Sequence, residues 1–261
     1  MTTLINVRIY SKKYKIMKIR IGIIVLLTTL SSTFFSSCEE LGLADLTEIE
    51  LSEETVIQGL REALKVGTDT AVSNLSVADG YFADEAVKIL LPEEAQVVYD
   101  YLSYLPTDLL DQNILAINRA AEDAANEAAP IFVDAITELT IQDGMDILHG
   151  DDTAATSYLK GKTYQNLYDA FKPKIDVSLN KEIVLGLSAE SLYSKLINTY
   201  NLASINGFLF DEITTNSLSE HTTNRALRGL FIKVGDEEKL IRENPAHRVS
   251  EILETVFAEQ D

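Results

Sequence analysis

Asp146 and His149 stand three residues apart in QDGMDILHG, which puts a carboxylate and an imidazole on one face of a helix, as half of a metal site requires. A two-metal site in a helical bundle needs two such pairs and two further carboxylates. The chain has three histidines, His149, His221 and His247, and no Glu-x-x-His. His149 also precedes Gly150 where a helix should end, a place that suits a cation for reasons of the helix dipole alone. No metal and no cofactor is expected.

A second set of charges, Arg119, Glu122, Glu127, Asp134, Asp143, Lys162 and Lys172, falls within the central block 118–172. Pointing between helices, Arg119, Glu122, Asp134, Asp143, Lys162 and Lys172 would form a polar cluster in which paired carboxylates do acid–base work. The competing reading assigns them to solvated faces, helix caps and Arg119–carboxylate pairs that fix helix register. It is preferred, because charges are rarely buried unless paired. Among hydroxyls, Ser157, Thr163 and Ser188 lie in no G-x-S-x-G elbow, and no phosphate-binding glycine loop or H-E-x-x-H is present. No catalytic residue is assigned. Tyr99, Tyr101 and Tyr104 cluster as core filling with hydroxyls reaching water would, more than as a ligand pocket.

The elements that must position these residues are helical. Ser52 reads as an N-cap followed by Glu53 and Glu54, and Val56, Leu60, Leu64, Gly67, Ala71 and Leu75 make one apolar face. Gly67 in mid-helix predicts a close helix crossing. Residues 77–91 are irregular, Pro92 opens PEEAQVVYDYLSYL, and Pro106 ends it, with Thr107 or Asp108 capping the next helix. Ile114, Ile117, Ala121, Ala124 or Ala125, and Ala128 form a stripe of small residues that Pro130 interrupts. Phe132, Ala135, Ile136 and Leu139 build the next face, and Thr140 caps a short helix ending at His149-Gly150. Asp151 or Asp152 caps the following helix, carried by Leu167 and Phe171 up to Pro173. Residues 183–187 are the one strand-like run. Ser188 caps a helix with Leu192, Leu196 and Tyr200 inside, and a loop passes through Asn206-Gly207. The last two helices are predicted at 219–243, with Leu227, Phe231 and Val234 inward, and at 245–257, packed through Val249, Ile252, Leu253 and Val256. The predicted class is all-α, a single compact multi-helix bundle.

Charge is unevenly spread. Six of the 22 basic residues and none of the 41 acidic ones lie before residue 38, leaving 16 basic residues against 41 acidic ones in the remainder. A surface that acidic repels phosphate backbones, which argues against nucleic acid, and it disfavours an electrostatic hold on anionic lipid. Residues 18–37 read as an export signal: Lys18 and Arg20, an apolar core over 21–30, then a Ser- and Phe-rich approach to Cys38. The core is too short for an ordinary spanning helix. Met17 serves as an alternative start. Phe35-Ser36-Ser37-Cys38 resembles a bacterial lipobox, with Phe35 departing from the preferred Leu. That resemblance implies cleavage before Cys38 and lipidation of its thiol; the competing reading is an ordinary secretory signal beside an accidental cysteine. The expected organisation is a signal peptide over 1–37, a lipidated cysteine and tether over 38–51, and a helical domain over 52–261. Glu39 and Glu40 directly after the cysteine resemble surface-export signals.

Gly59-Leu60-Arg61-Glu62-Ala63-Leu64-Lys65-Val66-Gly67, Asn118-Arg119-Ala120-Ala121-Glu122, Pro130-Ile131-Phe132-Val133-Asp134-Ala135-Ile136, Thr140-Ile141-Gln142-Asp143, Ala170-Phe171-Lys172-Pro173 and Gly229-Leu230-Phe231 resemble domain-of-unknown-function family 4197. Order and spacing agree from about residue 51 to 257. The resemblance implies an exported bacterial protein, often a lipoprotein, and carries no activity to any residue. The expectation is an outer-membrane, lipid-anchored envelope protein that docks to another envelope protein. The alternatives are a helical carrier or sensor enclosing a lipid or small hydrophobic ligand, and a hydrolase using the central polar residues.

Overall fold

The all-α expectation holds. The computed structural model describes residues 52–95, 107–184, 186–204, 207–209, 211–214 and 217–257. Tyr99, Tyr101, Tyr104, Cys38 and the signal segment lie outside the described residues. The chain order is α1 (Glu53–Leu75), α2 (Thr107–Ala125), α3 (Ala128–Thr137), α4 (Ile141–Leu148), α5 (Ala154–Leu179), a hairpin of β1 (Glu182–Val184) and β2 (Leu187–Ser188), α6 (Ala189–Ala203), α7 (Leu218–Glu243), a 3-10 turn (Pro245–His247) and α8 (Glu251–Phe257). No helix among the described residues is long and apolar enough to cross a membrane.

Helix α7 is the axis of the bundle, packing against α5, α1 and α2. Its sequence is polar on average, yet half of its residues are buried, among them Ser219, Thr222, Thr223, Glu238 and Arg242. Thr222 and Thr223 satisfy their hydroxyls within the helix, donating to the carbonyls of Leu218 (2.7 Å) and Ser219 (2.8 Å). Phe231 meets Phe132 of α3 edge-on and stacks with Tyr164 of α5.

Helix α5 buries every fourth residue from Ala155 through Leu159, Thr163, Leu167, Phe171 and Ile175 to Leu179. A spacing of four advances about 40° per step around a helix of 3.6 residues per turn, so this ridge winds from one neighbour to the next. The helix does not stop at Pro173 but runs six residues beyond it. Pro173 is exposed and so is Asp169, whose carbonyl loses its helical partner to the proline ring. The loss falls on the exposed side, open to solvent, while Phe171 and Ile175 on the opposite side are buried and keep the helix seated.

Other boundaries moved for local reasons. Pro130 sits in the first turn of α3, where a missing N–H costs nothing, and the break falls earlier, at residues 126–127. Helix α6 buries Tyr193 and Ile197, one residue on from the expected face, and leaves Leu192, Leu196 and Tyr200 half-buried. The last predicted helix is a 3-10 turn followed by α8, with Val249 between them and exposed. Gly67 does face α7, but an added Cβ would lie 3.4 Å from Glu237, an ordinary contact; the tightest crossing is at Gly144 of α4, which presses on Ile57 of α1. The expected caps at Ser52, Thr140 and Ser188 are present, the last two as capping boxes closed by Asp143 and Ser191.

Candidate functional site

The sequence-predicted cluster is distributed over the molecule. Arg119 and Glu122 meet, with Nη1 donating to Oε2 at 2.6 Å, and Arg119 Nη2 donates to Asp79 at 2.7 Å. Lys172 pairs instead with Asp176 (3.0 Å), and Asp143 accepts the Thr140 N–H and hydroxyl that begin α4. The Thr140 bonds hold the Asp143 carboxyl below the usual carboxylate range. Lys162 lies over the Tyr158 ring, and Asp134 is exposed. Asp146 accepts from Gln142, and His149 bonds the Met145 carbonyl at the end of α4, so neither half of the metal spacing is turned to the other. No group of three or more His, Cys, Asp or Glu gathers as metal ligands among the described residues.

What Glu122 does, with Arg119 paired to it, is hold backbone. Glu122, nearly buried, accepts the N–H groups of Tyr81 (3.1 Å) and Phe82 (3.2 Å). Asn118, one turn earlier on α2, accepts from Ile89 N (2.9 Å) and donates to Ile89 O (2.8 Å) and Ile114 O (2.7 Å). The irregular stretch 77–91 is thereby fixed through its main chain. Tyr81 is fully buried and donates to Ala226 O at 2.9 Å; burial, and less strongly Glu122, push its phenol far above the ordinary range, so it stays a donor. His221 likewise donates to Leu90 O, and burial pushes its imidazole down.

A second group was not anticipated from the sequence. Glu238 accepts the N–H groups of Ala155 (2.9 Å) and Thr156 (2.8 Å) and the Thr156 hydroxyl at the start of α5. Arg242, one turn on, donates to Glu238 (3.0 Å) and to Ile147 O at the end of α4 (2.8 Å). Arg248 donates to Ile241 O and Arg242 O at the end of α7, and Arg61 to Leu139 O just past α3. Glu190 accepts from Leu218 N and Ser219 N at the start of α7. Carboxylates thus meet helix starts and guanidiniums meet helix ends, the pairing that suits the dipoles. The i, i+4 spacing of Glu238 and Arg242 was readable; their burial was not.

The described residues line concavities of two kinds. One, of about 30 Å³, lies among Leu60, Leu64, Gly67, Val234, Ile241 and Phe257, beside the Glu238–Arg242 pair, and has room for one water. The other is an open groove of about 480 Å³ between α2, the end of α5 and β1. Leu115, Ala116, Ala120 and Ile183 line it with apolar surface, and Arg119, Asp123, Lys181 and Glu182 line it with charge.

Among the described residues, large apolar side chains stand exposed at the end of α6 and just past it: Leu202 in its last turn is 75% exposed, and Phe208 and Leu209 are 83% and 60% exposed. The chain is turned there by Gly207 at φ +82° and held by Ser204, which accepts Gly207 N on its hydroxyl and Leu209 N on its carbonyl. Asn201 closes the loop, donating to Ile213 O (3.0 Å) and accepting from Ile213 N (2.9 Å). Ile213 is buried, so the tip is tied to the bundle at its base.

No curated protein and no solved structure matches this chain. A family model described as a protein of unknown function, DUF4197, matches residues 50–258, which takes in all the described helices but not the segment with Cys38. The Asn118–Glu122 clamp, the Thr140 capping box and the Pro173 passage all lie within that match, and the chain belongs to the DUF4197 family.

Proposed function

We propose that this protein is a lipid-anchored component of the bacterial cell envelope, held in the outer membrane through Cys38, that works without catalysis by docking to another envelope protein. The observation that carries the docking reading is the tip at Leu202, Phe208 and Leu209, large apolar side chains held in water by a tied loop. A solvated Phe and two Leu forgo about 1.5–3 kcal/mol of burial each, which a partner surface would recover. Of the charged residues that an enzyme reading would use, Glu122 holds the 77–91 backbone with Arg119 paired to it, Asp143 caps α4 and Lys172 pairs with Asp176. The cavity beside Glu238, of about 30 Å³, is itself far too small to enclose a lipid.

A second reading rests on the α2–α5 groove, whose volume suits a small ligand with an apolar body and a polar edge. Mass spectrometry of the protein gently extracted from its own membranes tests both. Denatured, an N-terminus at Cys38 carrying acyl mass is expected, absent from Cys38→Ala; an unmodified thiol or another cut overturns the anchor. Native, a retained polypeptide is expected, whereas a retained small mass would favour the groove.

A further inference from the structure

We propose that the Phe208–Leu209 tip is a knob that enters an apolar socket with a basic rim on a partner protein; this rests on the docking reading above. Three observations converge. The loop is built: the two-way Asn201–Ile213 bond closes its base, and the Ser204 bonds hold Gly207 and Leu209. Phe208 is the most exposed large hydrophobic of the described residues, and Leu209 next to it is exposed as well. Its surroundings are acidic: Asp211 and Glu212 are exposed beside it, and no Lys or Arg occurs between Lys195 and Arg225.

The charge selects among occupants. A loop that wedges into a bilayer brings its flanks against lipid phosphate, where Asp211 and Glu212 would be repelled. Pairing two copies tip to tip would set these carboxylates against their own equivalents, on chains already bearing a large negative charge. A protein socket ringed by Lys or Arg meets both requirements, with the apolar centre giving affinity and the rim giving steering and orientation.

The test places a photo-crosslinking phenylalanine analogue at position 208 of the full chain in its native membranes, with position 160, an exposed site on α5, as the control. The protein linked through 208 is identified, purified and titrated with wild type, Phe208→Ser/Leu209→Ser and Asp211→Asn/Glu212→Gln. Circular dichroism and melting confirm that the variants fold. The expected results are a link at 208 exceeding that at 160, and affinity weakened about tenfold or more by the first variant. The second variant should slow association and flatten its salt dependence. A link to lipid, binding to vesicles of equal phosphatidylcholine and phosphatidylglycerol that needs Phe208, or a covalent dimer of the chain overturns the proposal. Undiminished binding by Phe208→Ser/Leu209→Ser, or a partner linked only at 160, overturns the tip while leaving docking intact. A chain with no partner at either position or in native mass spectra removes both.

Discussion

At the scale of single residues, buried polar and charged side chains of this protein work on backbone. Asn118 and Glu122 show it most directly, because four main-chain groups of residues 81–89 have their partners on them. Asn118→Asp keeps the shape but sets a carboxylate against the carbonyls of Ile89 and Ile114. It is expected to cost about 2–4 kcal/mol, read from urea unfolding. Glu238 and Arg242 answer to a double-mutant cycle. Glu238→Met leaves a buried guanidinium unpaired and two N–H groups of α5 uncapped, for a loss of about 3–5 kcal/mol. Glu238→Met/Arg242→Met removes the stranded charge and should recover part of that loss, though the orphaned N–H groups remain; strictly additive losses would mean the two side chains act independently. Local partners were legible in the sequence, since Ser52, Thr140 and Ser188 each reach an N–H three residues away. Glu238 was not, because the groups it caps lie 82 and 83 residues earlier and nothing in its own neighbourhood marks it as buried.

At the scale of elements, the boundaries that departed from expectation did so where packing outweighed a local signal. Pro173 carries a real local cost, yet the ridge from Ala155 to Leu179 buries seven side chains and continues the helix past it. Restoring the N–H with Pro173→Ala should therefore stabilise the protein by about 1–3 kcal/mol, seen as a raised melting temperature; an unchanged or lowered one would mean the ring itself packs usefully. Helix α6 was shifted by one residue because its sequence offers Leu at 192 and 196 and Tyr or Ile at 193 and 197, two apolar rows side by side. Pattern alone does not choose between such rows. The fold class was legible throughout, since caps and apolar periodicity repeat along nearly every segment. The candidate site was legible only in part: Arg119 and Glu122 meet, but Lys162, Lys172 and Asp143 go elsewhere because each has a closer or better-oriented partner, and Asp134 is exposed.

At the scale of the whole molecule, stability should depend on pH and salt in a defined sense. Asp84 is held below the usual carboxylate range by hydrogen bonding to Lys233. For Asp176 burial opposes the charge, but the Ser219 hydroxyl and Lys172 outweigh it. Their contribution is complete above the ordinary aspartate value of about 3.9 and is lost as pH falls through the depressed folded values. Glu190 and Glu237 are raised, chiefly by burial, so they bind protons more readily folded than unfolded and lose stability as pH rises through their folded values. Glu190→Gln should flatten the fall in stability that begins as pH rises above the ordinary glutamate range, while leaving the acid limb set by Asp84 and Asp176 in place. An unaltered profile on the neutral side would show that Glu190 is not the group responsible. The excess of acidic over basic residues adds a general term: the melting temperature should climb with sodium chloride from low to moderate ionic strength as self-repulsion is screened.

The helix-end bonds also impose an order in time. Helices α4 and α5 are made early, but the carboxylate that begins α5 and the guanidinium that closes α4 belong to residues 238 and 242. A chain emerging from the ribosome carries those ends uncapped until residues 238 and 242 have appeared. Its axial helix, α7, is incomplete for just as long. The bundle is therefore built to stay pliable after α4 and α5 have been made and to close only when α7 arrives.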